Sequence, residues 1–378
     1  MHPADLLRTP LEEFHRELGA KVGPFAGWAM PLEYEGTVSE HRAVRERVGL
    51  FDLSHLGKVD VAGPGTLPLL QRTLTNDLSN LAVGRAMYNL VLNARGGVEE
   101  DLIAYRLGPD RFFIVPNASN TAKVVTMLRE EASGAEVVEH PGWCFLGVQG
   151  PMSPEVVGAL FPEGADLPFM GCTETEYRGH RLVLTRSGYT GEVGFELFTG
   201  GSSASDLWTE LMEAGEPFQI EPCGLGARDV LRLEMGYPLY GQDLLPERTP
   251  LEAGLSWAVS FDKGPFRGRD ALERQKREGV TTRLRGLVTE GRRHIPRAHC
   301  AVLANEVRIG EVTSGTFSPT VQRGIALAYL SPADRFEPGA EVHIDVRGRV
   351  GPARVVKPPF VDRNPRGREG PTQRARLR

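Results

Sequence analysis

Residues 282–357 differ in pattern from the rest of the chain. They follow a charged helix predicted at Asp270–Arg277 and contain short runs of β-forming residues separated by Gly and Pro. Such a pattern is typical of a small all-β domain, either a barrel or a jelly roll. Because 378 residues exceed the roughly 250–300 that one hydrophobic core holds, we expect this domain to fold apart from a larger N-terminal region.

The N-terminal region combines short strands with helices. Its clearest hairpin joins strands predicted at Ala86–Leu92 and Val98–Leu107 through a turn at Ala94–Gly97. Helices are predicted at Ala204–Ala214 and Gly226–Met235. Because hairpins dominate over strand–helix–strand units, the expected fold class is α+β with antiparallel sheets.

Charge is unevenly distributed along the chain. The net charge is −5, yet residues 363–378 hold six arginines and one glutamate, so the preceding body is strongly acidic. An acidic body repels a polyanion, which disfavours nucleic acid as the main ligand. We interpret residues 363–378 as a disordered basic tail, and expect deletion of Asn364–Arg378 to leave activity and melting temperature nearly unchanged.

The cysteines indicate a reducing compartment. Cys144, Cys172, Cys223 and Cys300 form neither a Cys-x-x-Cys pair nor a zinc-site spacing with His. The N-terminus lacks the features of a signal peptide, and no run of about 18 apolar residues occurs. We therefore expect a cytoplasmic protein with no metal site and no contact with a membrane.

The motifs of several enzyme classes are absent. Gly224–Asp229 begins a Gly-x-Gly-x-x-Gly pattern and then departs from it, and no phosphate loop ending in Gly-Lys-Ser/Thr occurs. His-Glu-x-x-His and Gly-x-Ser-x-Gly are also missing. Nicotinamide-dependent, nucleotide-hydrolysing and zinc-hydrolase functions thereby lose their main support.

Two adjacent acids, Glu100 and Asp101, follow the hairpin turn on a predicted strand. Side chains alternate along a strand, so the two carboxylates should face opposite sides, with Asp101 sharing its side with Ile103 and Tyr105. A carboxylate beside an aromatic ring can stabilise a cation or accept a proton. A solvated or salt-bridged acid at a hairpin is the simpler interpretation, and the sequence alone favours it.

Glu196 and Arg228 are further candidates with two interpretations each. Glu196 lies on a strand after a glycine-rich stretch, where it is either solvent-exposed or faces a flat ligand that the glycines admit. Arg228 and Arg232 lie one helical turn apart and suit an anionic group. Pairing of Asp229 with Arg232 on an exposed helix explains the same pattern, and both alternatives stay open.

Six segments together resemble one family. They are Phe25–Pro31, Asp52–Gly57, Gly96–Asp101, Ser187–Leu197, Gly224–Glu234 continuing into Leu239–Asp243, and Glu311–Pro319. In their order, spacing and residue identities they resemble the T protein of the glycine cleavage system, a tetrahydrofolate-dependent aminomethyltransferase. The resemblance extends from about Thr9 to Arg363.

The resemblance implies a three-domain, cloverleaf-like α+β fold around a central channel. Residues 1–280 would form two interleaved folate-binding domains, and residues 281–362 a C-terminal β-barrel or jelly-roll domain. Tetrahydrofolate would occupy the channel as a co-substrate. The lipoylated carrier (H) protein would deliver its aminomethyl group, yielding 5,10-methylenetetrahydrofolate, ammonia and the dihydrolipoyl carrier.

Site residues are implied by motif position. The family's essential aspartate corresponds to Asp101, its pterin-binding glutamate to Glu196 and its folate-contacting arginine to Arg228. Further cofactor contacts fall on Tyr88, Asn117, Tyr189, Tyr237 and Arg363. Glu100 stands where the family often has a second aspartate.

Three alternatives remain at this level. A folate-binding iron–sulfur assembly paralogue shares the fold, but its Lys-Gly-Cys run is missing from Gly236–Asp243. The folate domain of a flavin-linked sarcosine or dimethylglycine dehydrogenase would follow a flavin domain, which we do not expect before Thr9. A non-enzymatic folate-binding regulator would differ from the enzyme in showing no turnover.

Overall fold

Strand pairing, mostly antiparallel, forms three open sheets and a closed barrel in the computed structural model, which describes residues 5–367. The first ten strands are β1 (Leu7–Arg8), β2 (Lys21–Phe25), β3 (Trp28–Glu33), β4 (Gly49–Asp52), β5 (Val59–Ala62), β6 (Arg85–Leu92), β7 (Val98–Gly108), β8 (Arg111–Val115), β9 (Glu136–Glu139) and β10 (Trp143–Gln149). The others are β11 (Cys172–Tyr177), β12 (His180–Thr185), β13 (Gly194–Gly200), β14 (Glu221–Cys223), β15 (Arg283–Thr289), β16 (Ala301–Ala304), β17 (Val307–Ser318), β18 (Arg323–Leu330), β19 (Glu341–Val346) and β20 (Arg349–Val356).

Helices cover the sheets and connect them. They are α1 (Glu12–Glu17), α2 (Thr37–Glu46), α3 (Thr66–Thr73), α4 (Thr121–Glu131), α5 (Ser153–Leu160), α6 (Pro162–Ala165), α7 (Ala204–Gly215), α8 (Leu225–Glu234) and α9 (Arg269–Glu278). Within residues 5–367, none of these helices has the length and apolar character needed to cross a membrane.

The six-stranded sheet has the order β11-β12-β13-β10-β4-β14. Its central strand β10 has no exposed residue, because both of its faces are covered. On one face, Leu146 and Val148 pack with Leu207, Trp208 and Leu211 of α7. On this sheet β13 runs antiparallel to β10, with Glu196 opposite Gly147.

The five-stranded sheet has the order β6-β7-β8-β5-β9. Its longest pair is the predicted hairpin of β6 and β7, in which Leu90 lies opposite Asp101. The turn requires glycine at position 96, since the backbone there has φ +83°. This hairpin therefore fixes where Asp101 lies along the sheet.

Residues from Arg283 to Val356 form the barrel β15-β18-β17-β16-β19-β20, in which every neighbouring pair is antiparallel. Its interior is filled by alternating apolar side chains, among them Val302, Val312 and Ile344. The predicted α+β class with a C-terminal β-barrel is confirmed.

Candidate active site

A cavity of about 1240 Å³ lies where the two larger sheets, helix α8 and the barrel meet. Aromatic, apolar and a few charged side chains form its wall, which is typical of a site for a small organic ligand. The predicted site residues that line it are Tyr88, Asp101, Asn117, Tyr189, Glu196, Arg228 and Tyr237. Residues that lie up to 149 positions apart in the chain thus meet at one place.

Asp101 lies on the cavity side of β7, as the alternation of side chains predicts, together with Ile103 and Tyr105. Its Oδ2 accepts a hydrogen bond from the Tyr88 hydroxyl at 2.9 Å, and its Oδ1 accepts one from Nδ2 of Asn117 at 2.9 Å. Burial raises the pKa of Asp101 to about 6, although both hydrogen bonds and the charge of Arg228 oppose the rise. A group with this pKa can take up or release a proton near neutral pH.

Glu196 lies on β13 and is only 8% exposed, so the solvated interpretation is wrong. The Tyr105 hydroxyl donates to its Oε2 at 3.1 Å, and the Ser187 hydroxyl donates to the same atom. Burial raises the pKa of Glu196, while these two donors lower it. Both of these donors reach Oε2, and Glu196 lines the cavity.

Arg228 points into the cavity from α8. Its guanidinium lies over the Tyr189 ring at 4.5 Å from the centroid, and Tyr189 is stacked with Tyr237 at 5.7 Å between centroids. Burial lowers the pKa of Arg228, although the group keeps its charge because an arginine pKa lies far above neutrality. Arg228 forms no ion pair within residues 5–367, so its charge is available to an anionic group.

Two arginines that the sequence grouped with Arg228 lie elsewhere. Arg232 turns away from the cavity and pairs with Asp243 at 2.8 Å and with Asp229 at 2.7 Å. Nε of Arg363 lies 3.4 Å from Oε1 of Glu192, and Arg363 is not part of the cavity wall. The contact of Arg363 with folate therefore stays a prediction.

Glu100 is completely buried at 0% exposure, which rules out the solvated acid that the sequence favoured. It does face away from the cavity side of β7, as predicted, and it is not part of the cavity wall. Its carboxyl group nevertheless reaches Asn117, which also contacts Asp101. The alternation of side chains gave the correct side of the strand but not the depth at which that side is buried.

The glycines of Ser187–Leu197 make room for side chains of the protein itself. A Cβ at Gly188 or Gly194 would lie 2.0 or 2.2 Å from Oε1 of Gln149, and one at Gly191 would lie 2.3 Å from Sδ of Met235. Gly188 also lines the cavity, so the close approach of a flat ligand stays a prediction at that position.

Two features of the site escaped the sequence analysis. The first is that the hydroxyls of Tyr105 and Ser187 hold the carboxylate of Glu196. The only sequence signal for it is that Tyr105 lies on the same side of its strand as Asp101. Trp257 lines the cavity with 63% of its surface exposed and lies 5.4 Å from the Tyr88 ring. An exposed tryptophan after a loop gives no sequence signal of its own.

Metal ligation finds no support among residues 5–367, where no three His, Cys, Asp or Glu side chains are grouped to hold an ion. The four cysteines are free thiols in the structure.

The chain is similar to known proteins in sequence and in fold. Residues 11–263 match the family described as the GCVT N-terminal domain, and residues 282–362 match the glycine cleavage T-protein C-terminal barrel domain. The chain is 48% identical over 369 residues to an aminomethyltransferase of Frankia alni, a match that covers 96% of this chain and 100% of the relative. It is 47% identical over 361 residues to an aminomethyltransferase of Mycolicibacterium paratuberculosis, covering 95% and 98% of the two chains. The crystal structure of glycine cleavage system aminomethyltransferase T from Bartonella henselae is similar with a TM-score of 0.90 and 36% identity, covering 95% of this chain and 99% of that one.

Proposed function

The chain belongs to the glycine cleavage T-protein family of aminomethyltransferases, and from that premise we propose that it transfers a methylene group from an aminomethylated lipoyl carrier protein to tetrahydrofolate. The products are 5,10-methylenetetrahydrofolate, ammonia and the dihydrolipoyl carrier. The carbon loses its bonds to sulfur and to the amine nitrogen and gains bonds to N5 and N10 of folate. The two folate N–H protons leave with the thiol and the ammonia, so the transfer needs no oxidant.

The observation that carries this proposal is the buried carboxylate of Glu196 on the cavity wall, which accepts hydrogen bonds from the protein at one of its two oxygens. Tyr105 and Ser187 hold Oε2, Glu196 lines the cavity, and we expect Oε1 to meet the ligand. A reduced pterin presents N–H donors along its 2-amino and N3 edge, and a fixed carboxylate oxygen is a suitable acceptor for them. We therefore place the pterin against Glu196.

The remaining groups fit the other parts of the two substrates. The charge of Arg228 suits the glutamate tail of folate. The transferred unit has the character of a CH2=NH2 cation, and Asp101 offers a fixed negative charge to it. Tyr88 and Asn117 hold that carboxylate in place before the reaction begins.

Binding and turnover test the proposal separately. Calorimetry should detect tetrahydrofolate binding to the unmodified protein, and ammonia should appear when the aminomethylated carrier is added. A protein that binds folate and releases no ammonia would be a non-enzymatic folate-binding regulator.

The Glu196→Ala variant tests the pterin contact. Loss of the acceptor leaves ligand donors unpaired in a buried place, at a cost of about 1–3 kcal/mol, so affinity should fall roughly tenfold to over a hundredfold. Glu176→Ala is the control, since Glu176 is an exposed acid on β11 of the same sheet. Unchanged folate affinity in Glu196→Ala would contradict the proposed placement.

The cytoplasmic location and the lipoylated carrier as partner are part of this proposal. Free thiols and a folate substrate are consistent with the cytoplasm, where the lipoylated carrier would also be found. The division into residues 1–280, 281–362 and 363–378 likewise stays a prediction.

A further inference from the structure

One amide group connects the two adjacent carboxyl groups of β7. Oε1 of Glu100 accepts a hydrogen bond from Nδ2 of Asn117 at 2.5 Å and one from the backbone N–H of Asp101 at 2.8 Å. The same Asn117 nitrogen lies 2.9 Å from Oδ1 of Asp101. The position of the Asp101 carboxylate therefore depends on where Glu100 holds Asn117.

The surroundings of Glu100 disfavour a charge on it. Its other oxygen, Oε2, is buried without a hydrogen-bond partner in the described part of the chain. Among residues 5–367, the titratable groups that interact with Glu100 are Asp101 on its own strand, Tyr88 on β6 and Tyr240 after α8, and none of them is a cation. The charge of Arg228 acts on Asp101. An unpaired buried carboxylate is costly, whereas a neutral carboxyl group costs much less.

The pKa values of the pair agree with this geometry. Burial and, after it, repulsion by Asp101 raise the pKa of Glu100 to about 8, although the Asn117 and Asn120 side chains oppose the rise. Burial raises the pKa of Asp101 to about 6. At neutral pH the two groups together therefore hold one proton and one negative charge.

We propose that Glu100 is a positioning residue, which as a neutral carboxyl group fixes the Asn117 amide and the Asp101 backbone and leaves the negative charge of the site on Asp101. This inference rests on the proposed function, in which Asp101 faces the reacting carbon. Ionisation of Glu100 puts a second charge on the same amide and repels the Asp101 carboxylate from Tyr88 and Asn117. Activity belongs to the singly charged state, with an acidic limb from Asp101 and an alkaline limb from Glu100.

Three variants test this inference in the complete chain. Glu100→Gln reproduces the shape of the neutral carboxyl group, Glu100→Ala removes the contact with Asn117, and Glu99→Gln is the control. Glu99 forms an ion pair with Lys123 and is not part of the cavity wall. The measurements are kcat and the KM for tetrahydrofolate across pH, with urea denaturation to confirm folding.

Each variant has a distinct expected outcome. Glu100→Gln should keep kcat at pH 7 within about threefold of the parent and lose the alkaline limb near pH 8. Glu100→Ala should lower kcat about tenfold or more at every pH while the KM changes by less than about threefold, because only the orientation of Asp101 is lost. Glu99→Gln should match the parent. An infrared difference spectrum of parent minus Glu100→Gln at pH 7 should show the C=O band of a protonated carboxyl group.

Several results would overturn the inference. If Glu100→Gln loses turnover as fully as Glu100→Ala, an ionised Glu100 is required, and if its alkaline limb persists, that limb belongs to another group. Full activity in Glu100→Ala also contradicts a positioning role. Should Glu100→Ala fail to fold, the infrared band and the pH profile of Glu100→Gln still decide. A parent protein that neither binds tetrahydrofolate nor releases ammonia refutes the proposed function itself, whereas an active parent with these variant results refutes only the role of Glu100.

Discussion

At the scale of single residues, Asp101 combines two demands that oppose each other. In the proposed reaction its carboxylate must be ionised to stabilise a cationic carbon, yet its burial favours the protonated form. The Tyr88 hydroxyl and the Asn117 amide, each 2.9 Å away, partly compensate for the lost water. The outcome is a carboxyl group whose charge depends on pH within a physiological range.

Asp101→Asn should lower turnover by about 10²–10⁴, which corresponds to roughly 3–5 kcal/mol of barrier. The variant keeps the size of the side chain and removes its charge. Folate affinity should change much less, since in the proposed function Glu196, and not Asp101, binds the pterin. Steady-state turnover and calorimetry on the same preparation check this prediction, and equal losses in both assays would contradict it.

The pH dependence of Asp101 has a definite sign for activity and for stability. Turnover of the parent should fall as the pH drops through about 6, and this limb should be absent from any residual activity of Asp101→Asn. Because folding raises the pKa of Asp101, its contribution to stability is fully present below the unfolded pKa and is lost as the pH rises through about 6. Asp101→Asn should therefore unfold at a higher temperature than the parent at pH 7 but not at acidic pH.

At the scale of elements, α8 carries two functions on different sides. Arg228 in its first turn points into the cavity, whereas Arg232, one turn later, binds Asp243 and the hydroxyl of Ser314 on the barrel strand β17. Glu234 at its end accepts from Arg45 at 2.8 Å and from Ser318 at 2.5 Å. The helix thus joins the cavity wall to the barrel.

Changing Arg228 and Arg232 of α8 to Met, one at a time, should separate an effect on folate binding from an effect on stability. Arg228→Met should weaken folate binding by about 1.5–3 kcal/mol, the usual value for a charged hydrogen bond, and leave thermal unfolding nearly unchanged. Arg232→Met should leave the buried carboxylate of Asp243 without the arginine that neutralises it, and destabilise the protein by about 3–5 kcal/mol. Calorimetry and urea denaturation of both variants measure the contrast. A reversed pattern would show that Arg232, not Arg228, serves the ligand.

Sequence periodicity predicted the elements well, because it reflects local geometry. The β6–β7 hairpin, with strands expected at Ala86–Leu92 and Val98–Leu107, is confirmed almost to the residue. The helix expected at Gly226–Met235 is observed at Leu225–Glu234. Periodicity could not show that Glu100 is buried, since the depth of a strand face depends on what another element places over it.

At the scale of the whole molecule, the site is assembled by contacts between distant parts of the chain. Tyr105 holds Glu196 across 91 positions, and Arg45 binds Glu234 across 189. No local pattern encodes such contacts, so the residues of the site could be grouped beforehand only through the family resemblance. The same resemblance placed Arg363 at the ligand, whereas in the structure this arginine pairs with Glu192.

The C-terminal segment also contributes to the site, which changes what a truncation should do. The backbone carbonyl of Arg366 accepts a hydrogen bond from Arg186 at 3.2 Å. The guanidinium of Arg366 lies 4.9 Å from the centre of the Phe169 ring. Arg366 and Phe169 both line the cavity. The predicted disorder of residues 363–378 stays a prediction, and residues 368–378 of that segment lie outside the described part of the chain.

Two truncations should therefore differ in their effect on folate binding. Removal of residues 368–378 keeps Arg366 in the chain and is the reference for its loss. Removal of residues 364–378 takes away Arg366 and a part of the cavity wall, and should weaken tetrahydrofolate binding about two- to tenfold, as expected for loss of a contact of about 0.5–1.5 kcal/mol. Arg366→Ala in the complete chain is the matched point variant and should reproduce most of this loss in calorimetry. If the shorter truncation weakened binding as much as the longer one, the loss of Arg366 would not account for the effect. If neither truncation weakened binding, the expectation of a dispensable tail from Asn364 onward would hold, because the contacts of Arg366 would then have no consequence for the ligand.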